Sequence, residues 1–166
     1  EAVAPPSLRI RLYVAPPRGK TTALALRAAV ELGVWRITPI LCEYGVARPE
    51  GDKASWRAEL VAAGKQSGNA FVPELDAPVA FAAALAQAGP GVFGAVPRSG
   101  SPGEKDLPTA GELGLWIGPE GGFSAAEEEA LHAARLVPLT VGRWILRVET
   151  AVPALLGYLA AKGVGI

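Results

Sequence analysis

Residues 117–124 read IGPEGGFS and combine three glycines, one proline and one carboxylate. The preceding residues 113–117 form a short apolar run typical of a strand, and Ser124 with Glu127 forms a capping box that opens a helix. A strand, a glycine-rich loop and a helix in this order bring bare backbone amides close to a ligand. The stretch therefore predicts a ligand-binding loop, although a tight turn before a well-capped helix gives the same pattern.

A second loop, residues 141–150 (VGRWILRVET), follows one predicted helix and one predicted strand later. Pro153 is tolerated only in the first turn of a helix, so the last helix should begin near Glu149 or Thr150. Arg147 then lies at the mouth of a site formed by the two loops. A surface salt bridge between Arg147 and Glu149 is the simpler alternative.

Strands and helices alternate along the rest of the chain. This order predicts a mostly parallel sheet covered on both faces, with ligands bound at the carboxyl ends of the strands. We expect a polar loop without periodicity over residues 98–110. The predicted strands are residues 8–15, 34–41, 71–73, 92–96, 113–117 and 137–141, and the predicted helices are residues 21–32, 53–65, 78–88, 125–135 and a last helix ending near 162.

The composition describes one globular domain: of 166 residues, 50% are apolar and 19% are charged. Sixteen basic residues balance sixteen acidic ones, so any contact with nucleic acid must come from a local patch. No apolar run reaches membrane-spanning length and no signal peptide is visible, so we expect a cytoplasmic protein without a membrane contact. The sequence begins at Glu1 and has no methionine, so we expect its natural start to lie upstream.

Several familiar sites are disfavoured. Residues 18–22 (RGKTT) suggest a P-loop, but that motif needs a glycine where Val14 stands. The single histidine, His132, lies inside a predicted helix, which argues against a catalytic triad. With one histidine and one cysteine, a zinc site is practically excluded, and Cys42 is expected to be a core residue.

Four ordered motifs resemble those of the RsmE-type SPOUT methyltransferases, over about residues 8–162. They are GPEGGFS at 118–124, GxxILRxETA at 142–151, ELGV with ITP at 31–39, and KQSG with VP at 65–73. The resemblance implies an enzyme that uses S-adenosylmethionine to methylate N3 of a uridine in small-subunit (16S) ribosomal RNA.

The same resemblance implies an α/β fold in which a mostly parallel sheet, flanked by helices, carries a C-terminal trefoil knot. Residues 1–166 would form one SPOUT methyltransferase domain, and S-adenosylmethionine would be held in the knot. The glycines are expected to supply room and backbone contacts. The cofactor-binding candidates are Val96, Gly118, Pro119, Glu120, Gly121, Gly122, Val141, Gly142, Ile145 and Leu146.

The resemblance also implies a homodimer that acts on ribosomal RNA or the small ribosomal subunit. We expect the apolar stripe of the last helix to be the partner face. That stripe consists of Val152, Leu155, Leu156, Leu159 and Ala160.

Methyl transfer from a sulfonium is an in-line displacement, so most of the catalysis is positioning. Uridine N3 must also lose a proton, and a nearby cation would stabilise the negative charge left on the ring. We predict that Arg147 is this cation and that Glu149 orients it or helps to remove the proton. The candidates for RNA contact are Lys20, Gln66 and Arg98.

The chain departs from the family's pattern at several positions. The family usually has arginine where this chain has Asn69 and Trp144, and threonine where it has Val148; its N-terminal PUA-like domain is absent from these 166 residues. Two alternatives therefore stay open. One is a SPOUT enzyme for another RNA site, such as a tRNA ribose 2′-hydroxyl, and the other is a non-catalytic RNA-binding knot domain.

Overall fold

The computed structural model describes residues 4–47, 54–96 and 107–163. No helix in these ranges is both long and apolar enough to cross a bilayer. The strands are β1 Leu8–Val14, β2 Arg36–Leu41, β3 Glu74–Leu75, β4 Val79–Ala80, β5 Gly91–Gly94, β6 Gly111–Ile117 and β7 Val137–Leu139. The helices are α1 Thr21–Glu31, α2 Ala54–Ser67, α3 Phe81–Leu85, α4 Ala125–Ala133 and α5 Val148–Ala161.

The strands form one sheet in the order β3-β2-β1-β6-β5-β7, and β4 pairs with the end of β2. Every described strand pair is parallel, which confirms the predicted mostly parallel sheet. At the centre, Leu8 lies opposite Gly111 and Val14 opposite Ile117. Residues 97–106, between β5 and β6, lie outside the described residues, and so does most of the loop predicted at residues 98–110.

Helices cover both faces of the sheet. Side chains alternate between the two faces along each strand, so both faces present apolar residues that the helices bury. Helices α1, α2 and α5 pack on the face that presents Ile10 and Leu115. Helices α3 and α4 cover the other face, where Tyr13 and Trp116 stack with their ring centroids 3.9 Å apart. The layers therefore bury the middle of the sheet and leave the ends of its strands to the loops.

Two predicted elements differ from the structure. The strand predicted at residues 71–73 has no regular secondary structure. There the Asn69 side chain accepts a hydrogen bond from the Phe71 amide, and pairing with β2 starts only at Glu74. The helix predicted at residues 78–88 shrinks to α3, because Val79 pairs with Ile40 of β2 and the chain before α3 is extended.

The apolar stripe of α5 was wrongly predicted to be a partner face. Val152, Leu155, Leu156 and Leu159 are each at most 3% exposed, because they pack into the core beside α1 and the sheet. The helix begins at Val148, one residue before the predicted start. Pro153 is therefore its sixth residue and lies inside the helix, so the expectation that this proline stays within the first turn was wrong.

Candidate functional site

An open cavity lies where β5, β6 and β7 end, at the carboxyl edge of the sheet. Three chain segments form its walls: the end of β5, the loop after β6 and the segment from β7 into α5. The lining residues are Gly94, Ala95, Val96, Ile117, Gly118, Pro119, Glu120, Gly121, Gly122, Phe123, Leu139, Val141, Trp144, Ile145, Leu146, Val148, Ala151 and Leu155.

The loop after β6 is tight because of its glycines. A Cβ on Gly118 would lie 3.1 Å from the backbone nitrogen of Phe123. Gly122 has a φ of 76°, which side chains rarely tolerate, and its amide donates to the carbonyl of Pro119 at 2.8 Å. These glycines therefore allow the loop to fold back on itself, whereas the sequence suggested that they leave room for a ligand.

The predicted capping box at the start of α4 is confirmed. The Ser124 hydroxyl accepts from the Glu127 amide, and Glu127 Oε2 accepts from the Ser124 amide at 2.9 Å. This reciprocal pair satisfies two amides that a helix start leaves without partners. It also fixes the end of the glycine loop that follows β6.

The outer side of the glycine loop rests on the turn after β2. A Cβ on Gly121 would lie 3.1 Å from the Tyr44 Cβ, so only glycine fits without displacing the turn. Glu127 Oε1 accepts from the Glu43 amide at 2.9 Å and holds this turn against α4. Burial, and then the nearby Glu127 carboxylate, raise the pKa of the Cys42 thiol in the same turn to about 12.

The segment from β7 to α5 is open and exposes apolar side chains. Trp144 is 81% exposed and Ile145 is 70% exposed, although both line the cavity. The backbone amides of Trp144, Ile145 and Leu146 donate to no acceptor within the described ranges. These amides are therefore available to a ligand in the cavity.

The chemistry of the lining indicates which kind of ligand fits. Most lining side chains are apolar, Glu120 supplies one carboxylate, and the described lining includes no lysine or arginine. A ligand with several phosphates would find no cation here, whereas an apolar nucleoside that carries a positive charge fits both features. The residues present therefore fit the adenosyl sulfonium of S-adenosylmethionine.

The structure brings nine of the ten predicted cofactor-binding residues together around this cavity. The exception is Gly142, which is exposed and has a φ of 79°, so it shapes the turn rather than the wall. Sequence reasoning did not single out the inward face of α5, where Val148, Ala151 and Leu155 line the cavity. Their helical spacing of three and four residues is the signal that could have found them.

The predicted catalytic pair lies just outside the cavity wall. Arg147 is the exposed N-cap residue of α5, and its neighbours Leu146 and Val148 line the cavity. Glu149, in the first turn of α5, is half-buried, where the helix N-terminus favours a carboxylate. The two side chains form no salt bridge with each other, so the structure does not show the simpler alternative.

The predicted RNA contacts do not cluster. Lys20 is exposed at the start of α1, on the same edge of the sheet as the cavity. Gln66 lies near the end of α2, which leads to the start of β3 and so to the opposite edge. Arg98 lies outside the described residues.

The hydroxyls beside Lys20 bind the chain's own backbone. Thr21 donates to the carbonyl of Arg18 and Thr22 to that of Pro17. A P-loop needs such a hydroxyl for a metal ion, so this arrangement also disfavours the nucleotide site.

Asn69, where the family usually has arginine, has a structural role. Its Nδ2 donates to the Val30 carbonyl at 2.8 Å, near the end of α1, and its Oδ1 accepts from the Phe71 amide. The side chain therefore joins the end of α1 to the turn before β3.

A cluster of charged side chains lies on the face of the sheet that carries Tyr13, and its members form hydrogen bonds and ion pairs with one another. Asp76 accepts from Arg36, Arg11 and Thr38, and Arg11 also donates to the Thr38 hydroxyl. Burial favours the protonated carboxyl of Asp76, but the hydrogen bonds from Arg36 and Thr38 outweigh it and hold the pKa below its usual value. The cluster ties β1 and β2 to the segment after β3.

Comparison with known proteins places the chain among RNA methyltransferases. The model of the RNA methyltransferase domain family matches residues 4–160. A Synechocystis protein named ribosomal RNA small subunit methyltransferase E is 30% identical over 154 residues, which cover 87% of this chain and 50% of that protein. The chain thus spans about half the length of this relative.

Solved structures share the fold. A Legionella pneumophila protein described as a methyltransferase, solved with bound S-adenosylmethionine, has a TM-score of 0.86 at 30% identity, covering 98% of this chain and 69% of that one. A Neisseria gonorrhoeae ribosomal RNA small subunit methyltransferase E, bound to S-adenosylmethionine, has a TM-score of 0.84 at 26% identity, covering 96% and 68%. The predicted fold class and the resemblance to RsmE-type proteins are confirmed.

Proposed function

This chain belongs to the RNA methyltransferase domain family, and on that premise we propose that it transfers a methyl group from S-adenosylmethionine to N3 of a uridine in small-subunit ribosomal RNA. One observation carries the proposal. The cavity at the carboxyl edge of the sheet has apolar walls, one carboxylate and unpaired backbone amides. Structures with TM-scores of 0.86 and 0.84 to this chain are described with S-adenosylmethionine bound.

The two loops would contact different parts of the cofactor. The amides of Trp144, Ile145 and Leu146 would meet the polar edge of the adenine, and the apolar side chains around them would exclude water. Glu120, the carboxylate in the lining, would lie on the side of the positive charge. S-adenosylmethionine, when bound, supplies an electrophilic methyl group on a sulfonium.

The acceptor would approach from solvent at the start of α5. Uridine N3 loses its proton and leaves negative charge on the ring, which the exposed guanidinium of Arg147 would stabilise. Glu149 would orient this guanidinium or take up the proton. Both residues lie next to the cavity wall rather than in it, which suits an acceptor that is not enclosed with the cofactor.

We also infer that the chain works as a homodimer in the cytoplasm on the small ribosomal subunit or its RNA. This part rests on the resemblance to the family, and the buried stripe of α5 does not serve as the interface. Sedimentation velocity tests it: a single species with the mass of two chains is expected, and a monomer at all concentrations would contradict it.

The proposal is tested with the whole protein and labelled S-adenosylmethionine on immature small ribosomal subunits, followed by mass mapping of the modified nucleotide. Methylation at uridine N3 is expected. A methyl group on a ribose hydroxyl of tRNA would support the other SPOUT activity, and cofactor binding without transfer to any RNA would support a non-catalytic module. Calorimetry should show binding of S-adenosylmethionine and none of adenosine triphosphate, whose phosphates meet no cation in the described lining.

A further inference from the structure

Trp144 is the most exposed large apolar side chain in the described part of the protein. It is 81% exposed, whereas Trp116 is fully buried against Tyr13. Exposing an indole to water forgoes much of the free energy that its burial would give. Such a side chain, placed at a binding site, commonly has a partner in the complex.

The position of Trp144 places that partner at the cavity mouth. Trp144 lines the cavity together with Glu120 and Gly121 of the opposite loop. A ring that is both largely exposed and part of the wall lies where the cavity opens to solvent. A substrate brought to the cofactor from outside would reach this ring first.

Charges beside Trp144 indicate the chemistry of the partner. Arg143 and Arg147 are exposed on either side of it along the chain, and neither forms an ion pair with a described residue. An aromatic ring between free cations is the pattern with which proteins bind single-stranded nucleic acid, since the ring stacks on a base and the cations meet phosphates. A second copy of this chain would instead bring like charges together around the ring.

We propose that Trp144 is a stacking platform for an unpaired base of the RNA substrate, at the mouth of the cofactor cavity, with Arg143 on the adjoining phosphate. The inference rests on the proposed function, because it takes the ligand of the Trp144 ring to be the RNA substrate of that site. It assigns the Trp144 side chain to the RNA, whereas the Trp144 backbone amide would still meet the adenine of the cofactor.

Binding of a short single-stranded oligouridylate to the whole protein tests the platform. Trp144→Ala should weaken binding roughly 5- to 150-fold, the range for losing one base–aromatic stack, while Trp144→Phe should stay within about threefold. Trp144→Leu separates stacking from simple apolar contact and should bind like the alanine variant. Leu24→Ala, at an exposed apolar residue on α1, is the matched control and should bind like wild type.

Two further measurements distinguish stacking from a structural role. The oligouridylate should quench tryptophan emission in wild type, and Trp144→Phe should abolish most of that quench while still binding. In methyl transfer, Trp144→Ala should raise the KM for RNA by a larger factor than it lowers the affinity for S-adenosylmethionine, because alanine keeps the backbone amide that would meet the adenine and removes only the ring.

The outcomes separate this inference from the proposed function. If Trp144→Ala binds oligouridylate and has a KM for RNA like wild type, the platform is overturned. Methyl transfer by wild type would still support the proposed function in that case. Loss of dimer mass in Trp144→Ala with unchanged RNA affinity would overturn it in favour of a self-association surface. If wild type neither binds S-adenosylmethionine nor methylates RNA, yet loses oligouridylate affinity on Trp144→Ala, the function fails and the platform stands.

Discussion

The carboxylate of Glu127 accepts a hydrogen bond from the backbone amide of Glu43 at 2.9 Å, across 84 residues of sequence. Its other oxygen caps α4 through the Ser124 amide. One buried side chain thus fixes both the start of α4 and the turn that carries Tyr44 against Gly121. This contact therefore helps to hold the glycine loop after β6 in place.

Replacing Glu127 should therefore destabilise the protein. Glu127→Ala removes two charge-assisted hydrogen bonds and is expected to cost about 2–4 kcal/mol in urea unfolding. Glu127→Gln keeps one acceptor oxygen and should cost less. Glu129→Gln, on the exposed side of the same helix, is the control and should change stability by under about 0.5 kcal/mol. Equal stability of the Glu127→Ala and Glu129→Gln variants would contradict this role.

Cys42 should be unreactive in the folded protein. Its thiol is buried and has a pKa of about 12, so almost no thiolate exists near neutral pH. An aromatic disulfide reagent at pH 8 should label it only as fast as the chain unfolds, and Glu127→Ala should speed this labelling. Stoichiometric labelling of the native protein within seconds would show that the turn is open.

Gly121 should be replaceable only together with Tyr44. Gly121→Val would push the loop off the Tyr44 ring and weaken S-adenosylmethionine binding at least about tenfold, or 1.4 kcal/mol. Tyr44→Gly in the same chain removes the Cβ that the new side chain meets and should restore most of the loss, which calorimetry on the double-mutant cycle measures. Gly89→Ala, where a Cβ meets nothing within 4 Å, is the control. Unchanged affinity, or a loss that Tyr44→Gly leaves in place, would contradict the contact.

Asp76 should stabilise the protein at neutral pH and cease to do so in acid. Its pKa is lowered in the folded state, so its contribution is present above the unfolded value of about 3.9 and is lost as the pH falls through the folded value. Asp76→Asn should cost about 1–3 kcal/mol at pH 7, because Arg11 and Arg36 lose their shared carboxylate. The difference in urea midpoint between the variant and wild type should be smaller near pH 2 than at pH 7, because the pH has by then fallen below the unfolded value; an equal difference at both pH values would contradict the assignment.

Local sequence signals predicted most of the fold and much of the lining of the candidate site. Ser124 and Glu127 predicted the start of α4, and the glycines predicted the loop between β6 and α4. These features follow from backbone chemistry within a few residues, so the sequence contains all the information that they need. Pro153 was a poorer guide, because α5 begins five residues before it and includes it past the first turn.

Features that depend on distant residues could not be predicted. The contact between Glu43 and Glu127 and the pairing of Val79 with Ile40 arise only when the sheet has formed. The alanine-rich segment after Pro78 is compatible with a long helix and with a short one. The length of α3 was therefore decided by the strand pairing before it. The burial of the α5 stripe is tertiary in the same way, because an apolar face suits a protein core and a subunit interface alike.

Methyl transfer by Arg147→Ala tests the central claim most directly. The whole protein and this variant are compared on immature small ribosomal subunits with labelled S-adenosylmethionine, and cofactor affinity is measured in the same preparations. We expect wild type to methylate uridine N3 and the variant to lose at least about 100-fold in rate, as for removal of one charge-stabilising group, with cofactor affinity nearly unchanged. Near-normal turnover by Arg147→Ala, or no methylation of uridine N3 by wild type, would contradict the account.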